Sequence, residues 1–170
     1  MNNIFTRTEL NPIKLTEMLE ELENTVELHS ISVRYKGETV LEGAWAPFSL
    51  NEPQMMHSLS KIGTSICVGF AVDEGKLHLE DHLLDYVREE LPASYDEALE
   101  DITIYDLLTM QAGSKECCNN VWFSRIKKDW ETNWLKQPKI REDIGKAFHY
   151  DSGCSYTLSR IVTKVMGKNC

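Results

Sequence analysis

The feature that most constrains this chain is an apolar run over residues 62–72, which directly follows a serine and a lysine. Its apolar side chains point in nearly every direction around a helix, a pattern typical of a helix in a protein interior. The run therefore predicts a core helix whose first residues lie at the edge of the core. Its apolar residues are Ile62, Ile66, Cys67, Val68, Phe70, Ala71 and Val72.

Ser58 and Lys61 stand three residues apart at the start of this helix. That spacing brings two side chains to one helix face, about one turn apart. A serine hydroxyl becomes a strong nucleophile when a base takes its proton, and a lysine can be that base when burial or a neighbouring cation lowers its pKa. The pair therefore indicates a nucleophile and a base. The alternative is structural, with Ser58 as a helix cap and Lys61 as a solvated side chain.

Composition narrows the class of protein and the choice of partners. At 170 residues, the chain has the length of one domain with its own core, and its hydrophobic fraction of 42% is that of a globular protein. The formal net charge of −9 argues against nucleic acid as the main partner, because phosphate binding needs a basic surface. The apolar run is too short and too interrupted to cross a bilayer. We therefore expect neither a nucleic acid nor a membrane as partner.

The N-terminus and the cysteines predict the compartment. Residues 1–7 contain no charged leader followed by an apolar run, so we expect no secretory signal. The five cysteines are odd in number and lack framework spacing, as expected of free thiols in a reducing cytoplasm. Cys117 and Cys118 are adjacent, but no second cysteine or histidine pair supports a metal site. We expect a cytoplasmic protein with no metal and no cofactor.

The chain before the core helix predicts one helix and one hairpin. Asn11 caps a helix that Pro12 begins, and apolar residues then recur at helical spacing. Alternating side chains predict strands over residues 29–35 and 38–45, with a turn at Lys36–Gly37 between them. Two strands alone are marginal in water, so further strands are expected beside them. Helices combined with an antiparallel sheet place the chain in the α/β (α+β) class.

The chain after the core helix is mostly helical in its pattern. Gly75 can close the core helix, and Thr103 with Asp106 has the form of a capping box for a short helix. Residues 155–166 predict a last amphipathic helix that ends at Gly167.

Residues 114–144 are less regular and hold aromatic residues among many charges. Acidic residues are interleaved with the aromatics, which disfavours a base-stacking surface. We expect these aromatics to pack on the core, with a substrate wall as a second use. They are Trp122, Phe123, Trp130 and Trp134.

Tyr150 and Ser152 stand at the junction between a loop and the last helix, where polar side chains can face a cleft. The alternative is again structural: Tyr150 would be a half-buried aromatic and Ser152 the N-cap of the helix.

Three stretches now resemble one family, in order and at familiar separations. The first is Ser58-Leu59-Ser60-Lys61, a Ser-x-x-Lys motif, continued by residues 69–81. The second is residues 102–114, similar to Ile-Thr-x-x-x-Leu-Leu-Thr-x-x-Ser-Gly, and the third is Tyr150-Asp151-Ser152, similar to Tyr-x-Asn or Tyr-x-Ser. The chain resembles the serine β-lactamase and penicillin-binding-protein superfamily. Its class C-like branch, which also holds esterases and 6-aminohexanoate-oligomer hydrolases, is the most similar.

The resemblance implies a serine hydrolase that works through an acyl-enzyme. Ser58 would attack a carbonyl, Lys61 and Tyr150 would share the proton transfers, and Ser152 would hold the substrate or relay a proton. Ser60 is a rival nucleophile, but it adjoins Lys61 and would point elsewhere on the helix. The substrate implied is a small-molecule amide or ester, since Tyr-x-Ser and the absent signal disfavour cell-wall work. Whether it is a β-lactam, an ester or a peptide stays open, as does the oligomeric state.

One part of the family pattern is missing. Members carry a third box, Lys-Thr-Gly or His-x-Gly, on a returning strand, and this chain has none in a suitable element. The resemblance thus implies that residues 1–170 are the N-terminal part of a single β-lactamase-like (transpeptidase-like) serine hydrolase domain, without the C-terminal sheet strands. Because that strand supplies an oxyanion donor, we expect this chain alone to be a poor catalyst.

Two other functions remain open from the sequence. In one, the chain is a non-catalytic binding or scaffold member of the same fold that retains Ser58 by descent. In the other, it is an interaction module, with Ser58 as an N-cap and the tryptophans from Trp122 to Trp134 as a partner surface.

Overall fold

The computed structural model describes residues 4–5, 10–115, 117 and 134–168 of the chain. The chain forms two compact units, Met1–Met55 and Met56–Cys170. The motifs that the sequence indicates as functional, from Ser58 onwards, all belong to the second unit.

The first unit combines one helix with a three-stranded antiparallel sheet. Its elements are β1 (Ile4–Phe5), α1 (Pro12–Thr25), β2 (Ser30–Tyr35) and β3 (Glu38–Ala44), and the strand order is β1-β3-β2. The predicted cap of α1 is confirmed, because the Asn11 side chain accepts hydrogen bonds from the N–H groups of Ile13 and Lys14.

The hairpin of β2 and β3 is also confirmed, with a bulge between Val33 and Arg34. Lys36 and Gly37 both have positive φ, 48° and 84°, as a tight hairpin turn requires. The sequence located two strands and predicted further strands beside them without placing any; the structure has β1, which pairs with β3 on the side away from β2. A two-residue strand is too short for an alternating pattern to reveal, which is why sequence reasoning missed it.

The second unit is built from helices and 3₁₀ turns. Its core helix α2 (Lys61–Asp73) follows a 3₁₀ turn at His57–Ser60, and a capping box at Thr103 and Asp106 starts a short helix as predicted. The remaining elements are α3 (Leu84–Val87), α4 (Ile104–Leu108), α5 (Ser152–Met166), and 3₁₀ turns at Arg88–Glu90, Glu97–Asp101 and Arg141–Asp143.

The core of this unit lies where α5 packs against α2 and α4. Val68 and Ala71 of α2, Leu107 of α4, and Leu158 and Ile161 of α5 are fully or almost fully buried there. Burial of several large apolar side chains, each contributing about 1.5–3 kcal/mol, holds these three helices together. The start of α2 and the start of α5, which carry the candidate residues, are thereby attached to one common core.

The prediction that α2 is buried on all sides is wrong for the described residues. Val68 and Ala71 are buried, but Ile62, Ile66 and Phe70 are 56%, 53% and 59% exposed. These three side chains recur every fourth residue and form one exposed stripe along the helix. The reason is geometric, because among the described elements α5 packs against α2, whose core residues Val68 and Ala71 lie away from the stripe.

The last helix begins earlier than its apolar pattern predicts. Its first residue is Ser152, not Ser155, and its N-cap is Asp151, whose side chain accepts from the Gly153 N–H. The structural alternative of Ser152 as cap is therefore wrong. Gly167 ends the helix in the left-handed conformation, as predicted.

No described helix combines the length and the apolarity that crossing a bilayer would take.

Candidate active site

Ser58 lies in the 3₁₀ turn that leads into α2, and Lys61 is the first residue of that helix. The turn is entered through His57, whose φ of 46° lies in the left-handed region that non-glycine residues seldom adopt. The turn carries Ser58 and Lys61 to the same side, so that the Lys61 ammonium donates to Ser58 Oγ at 3.0 Å. The one-turn spacing in sequence thus becomes a direct hydrogen bond.

Tyr150 lies in the stretch just before α5, which leads into the extended backbone of Asp151 (φ −144°, ψ 116°). The His149 N–H donates to the Met110 carbonyl at 2.9 Å and attaches this stretch to the loop after α4. Burial alternates along it: Phe148 and Tyr150 are exposed, while Asp151 is fully buried. Since side chains of extended backbone alternate in direction, Tyr150 is directed outward by the same geometry that directs Asp151 inward.

Three side-chain atoms from two distant stretches form a closed triangle. Ser58 Oγ lies 2.6 Å from the Tyr150 hydroxyl oxygen. The Lys61 ammonium donates to that oxygen at 2.9 Å and to Ser58 Oγ at 3.0 Å. Every pair is within hydrogen-bond reach, which is the arrangement that proton transfer between a nucleophile and a base needs.

The environment of Tyr150 lowers its pKa below the ordinary value of 10.0. The largest cause is the hydrogen bond from Lys61, followed by the hydrogen bond with Ser58, and burial opposes both. Ser152 also hydrogen-bonds to the phenol and lowers the pKa. A cation and hydrogen-bond donors around an oxygen favour its phenolate form, which is a base.

The site is open to solvent. Ser58 is exposed, Lys61 is half-buried and Tyr150 is 42% exposed. The apolar stripe of α2 begins beside it and is exposed as well. The contact between the Lys61 ammonium and the Tyr150 hydroxyl oxygen, at 2.9 Å, is the main electrostatic feature of this open site.

The other two candidates, Ser60 and Ser152, differ in whether they contact the triangle. Ser60 Oγ donates to the backbone carbonyl of His57 at 2.7 Å, so its hydroxyl is held by the turn and takes no part in the triangle. Ser152 is half-buried at the start of α5 and contacts the Tyr150 phenol. The structure thus brings together Ser58, Lys61, Tyr150 and Ser152, and their catalytic roles stay a prediction.

A second polar cluster, which sequence reasoning missed, lies directly behind Tyr150. The buried Asp151 carboxylate accepts from Ser114 Oγ at 2.6 Å and from the Trp134 indole N–H at 2.5 Å. Lys139, only 8% exposed, donates to Ser114 Oγ at 3.2 Å and lies 3.8 Å from the Trp134 ring centroid. An aspartate just before a helix is a common N-cap, and that signal could have drawn attention to Asp151.

Trp134 is a core residue, 2% exposed, so the alternative of a tryptophan partner surface is wrong for this residue. Trp122, Phe123 and Trp130 lie outside the described residues, as do Cys118 and Cys170. Among the residues that the structure describes, no group of three histidine, cysteine, aspartate or glutamate side chains could hold a metal ion.

The fold and this arrangement of serine, lysine and tyrosine point to a β-lactamase-like protein of mixed helices and a small antiparallel sheet. The β-lactamase family model matches residues 27–169. The chain therefore belongs to the β-lactamase family, as the three motifs predicted. Membership supports a hydrolase of the serine hydrolase superfamily at the level of the family.

Three of the solved structures that share this fold are described as a hydrolase or as class C β-lactamases. A protein from Bacillus anthracis described as a 6-aminohexanoate-dimer hydrolase is 19% identical, with a TM-score of 0.60 over 89% of this chain and 43% of its own. A class C β-lactamase is 19% identical, with a TM-score of 0.67 over 96% of this chain and 48% of its own. A class C β-lactamase in complex with cefoxitin is 19% identical, with a TM-score of 0.67 over 94% of this chain and 47% of its own.

At these identities, the likeness shows the fold alone. The chain spans less than half the length of each of these solved relatives. No curated protein sequence matches the chain.

Proposed function

We propose that this protein is a serine hydrolase that cleaves a small amide or ester through an acyl-enzyme on Ser58. The observation that carries the proposal is the closed triangle of Ser58 Oγ, the Lys61 ammonium and the Tyr150 hydroxyl oxygen, with sides of 2.6, 2.9 and 3.0 Å. A nucleophile, a base and a cation that activates the base are the parts that this chemistry requires.

Acylation uses the three groups in turn. The Tyr150 phenolate takes the proton of Ser58 as Oγ forms a bond to the substrate carbonyl carbon, and the carbonyl oxygen takes the displaced electron pair. When this intermediate collapses, the bond from carbon to the leaving nitrogen or oxygen breaks, and the leaving group takes the proton from Tyr150. Lys61 stays cationic and keeps Tyr150 basic throughout.

Deacylation reverses these steps with water in place of the leaving group. Tyr150 takes a proton from water as the water oxygen attacks the ester carbon, and Ser58 Oγ leaves with that proton. The Ser58 N–H stands near the start of a helical segment, where backbone N–H groups have no intrahelical acceptor. It is the donor that we assign to the developing oxyanion.

The substrate class follows from the site and from the neighbours. The site is an open surface around one hydroxyl, which suits a small molecule that approaches from solvent, and the net charge of −9 disfavours nucleic acid. One structural neighbour is described as a hydrolase of 6-aminohexanoate dimer, and two are described as class C β-lactamases. We propose a small amide or ester by this likeness.

A covalent probe tests the proposal without depending on turnover. Incubation with a fluorophosphonate, and separately with cefoxitin, should raise the intact mass of the chain by one adduct. Ser58→Ala should abolish the adduct, whereas Ser60→Ala is the matched control and should retain it, because the Ser60 hydroxyl is bonded to the His57 carbonyl. An adduct that persists in Ser58→Ala would contradict the proposal.

A non-catalytic binding or scaffold member of the fold is the second candidate, and the 42% exposure of Tyr150 favours it. A site open to water stabilises a developing charge less than a closed one. The same probes distinguish the two candidates, because a binding protein would show reversible binding and no covalent adduct.

A further inference from the structure

The cluster of Asp151, Ser114, Trp134 and Lys139 has no part in the proposed chemistry, yet it lies one residue from Tyr150. We propose that Asp151 is a positioning residue whose buried carboxylate holds its two neighbours, Tyr150 and Ser152, in the orientation that acyl transfer needs. This inference rests on the proposed function, since it names a residue that acts through the base of that reaction.

The first step is the bonding of the Asp151 carboxylate. Oδ1 accepts from the Gly153 N–H at 2.9 Å, which caps α5. Oδ2 accepts from Ser114 at 2.6 Å and from Trp134 at 2.5 Å. A helix cap needs only the first of these bonds. The other two come from chain segments 37 and 17 residues away, and they restrain the carboxylate in three dimensions.

The second step is burial. Asp151 is 0% exposed and Ser114 and Trp134 are each 2% exposed, so no water can replace their hydrogen bonds. Removing one partner from a buried, charge-assisted hydrogen bond leaves a group unsatisfied, which is strongly unfavourable where water cannot take the partner's place. Asp151 therefore has one strongly preferred position, and rotation of its backbone is resisted by every bond it makes.

The third step connects this position to the site. Asp151 has extended backbone and faces the core while Tyr150 faces solvent, so the backbone rotation that fixes one side chain also fixes the other. Within the described residues, the Tyr150 ring is 42% exposed and its polar contacts are with exposed or half-buried groups, so its anchoring is weaker than that of Asp151. Ser152 is fixed in the same way from the opposite side, as the first residue of α5.

The fourth step is the close approach of Trp134 to the start of α5. A Cβ placed on Gly153 would lie 2.0 Å from Cδ1 of the Trp134 ring. Only glycine at this position lets the indole reach Asp151 with its N–H. The sequence Asp151-Ser152-Gly153, directly after Tyr150, therefore supplies both the carboxylate and the glycine that this contact needs.

The first test does not depend on catalysis. The phenol of Tyr150 is titrated by NMR of protein labelled at tyrosine Cζ, and Tyr150→Phe assigns its signal among the six tyrosines. In Asp151→Asn, an amide cannot accept on both sides, so Tyr150 should move away from Lys61 and its pKa should rise towards 10.0.

The second test measures the fluorophosphonate reaction of the same variants. A displacement of the base by about 1 Å costs on the order of a hundredfold in rate. Asp151→Asn should lower the maximal labelling rate by about that factor, with a smaller change in the probe concentration that gives half of the maximal rate.

A milder variant keeps the proposal testable if Asp151→Asn does not fold. Trp134→Phe removes one donor to Asp151 and keeps the aromatic ring, and it should shift both readouts in the same direction by a smaller amount. The matched control is Trp45→Phe, which removes an indole N–H that donates to the Glu23 carboxylate elsewhere in the chain. It should change neither readout.

The outcomes separate the two proposals. If folded Asp151→Asn and Trp134→Phe lose thermal stability but keep the Tyr150 titration of the original chain, Asp151 is a structural cap and the inference is overturned. If the original chain takes no adduct but Tyr150 titrates at higher pH in the variants, the proposed function fails while the positioning role stands.

Discussion

Two polar clusters meet at the start of α5 and differ in almost every physical respect. The triangle of Ser58, Lys61 and Tyr150 is exposed or half-buried, and its bonds are open to exchange with water. The cluster around Asp151 is almost entirely buried, and its bonds cannot be replaced by solvent. They are separated by one peptide bond, between Tyr150 and Asp151.

One stretch of backbone can thus serve both chemistry and structure. A group that transfers protons must reach substrate and tolerate both protonation states, which requires access. A group that holds its neighbours in place must have one favourable state, which burial and several hydrogen bonds supply. The extended backbone at Asp151 points Tyr150 to solvent and Asp151 to the core, which assigns each role to its own face.

The largest effect that we expect is a loss of labelling rate in the exposed cluster without a loss of stability. Lys61→Ala removes the cation that keeps Tyr150 basic, so fluorophosphonate labelling should fall by about a thousandfold, within the usual range for loss of acid–base catalysis. The thermal midpoint should stay nearly unchanged, because Lys61 is half-buried and bonded to exposed groups. Labelling kinetics and calorimetry measure the two quantities, and a large loss of stability would make Lys61 a structural residue.

The buried cluster should show the opposite behaviour. Gly153→Ala places a Cβ 2.0 Å from the Trp134 ring, so the indole must move and its hydrogen bond to Asp151 is lost. We expect a loss of about 2–3 kcal/mol in the free energy of unfolding, from overpacking and the unsatisfied carboxylate. Urea denaturation followed by tryptophan fluorescence measures it. Unchanged stability would mean that the two clusters do not differ as the structure indicates.

The third prediction concerns the pH dependence of the fluorophosphonate labelling rate. Because the pKa of Tyr150 is lowered, chiefly by Lys61, the labelling rate should rise about tenfold per pH unit and level off below pH 10.0. The sign follows from the base, since the reactive form is the deprotonated phenol and a lower pKa makes it available at lower pH. In Lys61→Ala the plateau should move to higher pH. Rate profiles of both proteins, measured where the fold is intact, test this, and identical profiles would exclude Tyr150 as the base.

The smallest effect that we expect is that of Gly69→Ala, which is the matched control for Gly153→Ala. Gly69 in α2 has open space around the position of a Cβ. Gly69→Ala should therefore stabilise the chain by about 0.5–1 kcal/mol through helix propensity alone. Urea denaturation under the same conditions gives the value. A loss similar to that of Gly153→Ala would show that the cost at Gly153 is not specific to Trp134.

Local sequence patterns were enough to predict much of the fold. The Asn11 cap, the Lys36–Gly37 turn and the capping box at Thr103 are each encoded within a few residues, and all are confirmed. The family was accessible from three ordered motifs and is confirmed. β1 was not predicted, because two residues carry no period, and the start of α5 was placed three residues late, because its first turn is polar.

Local sequence patterns were enough to predict the local conformations, the family, and the choice of Ser58, Lys61, Tyr150 and Ser152 as candidates, because caps, turns and motif spacings act over a few residues. Which faces are covered depends on packing between distant segments. This packing left the Ile62, Ile66 and Phe70 stripe exposed and the site open, and it gathered Ser114, Trp134 and Lys139 around Asp151. Burial depends on what packs against a surface from elsewhere in the chain, and no pattern within a single helix encodes that.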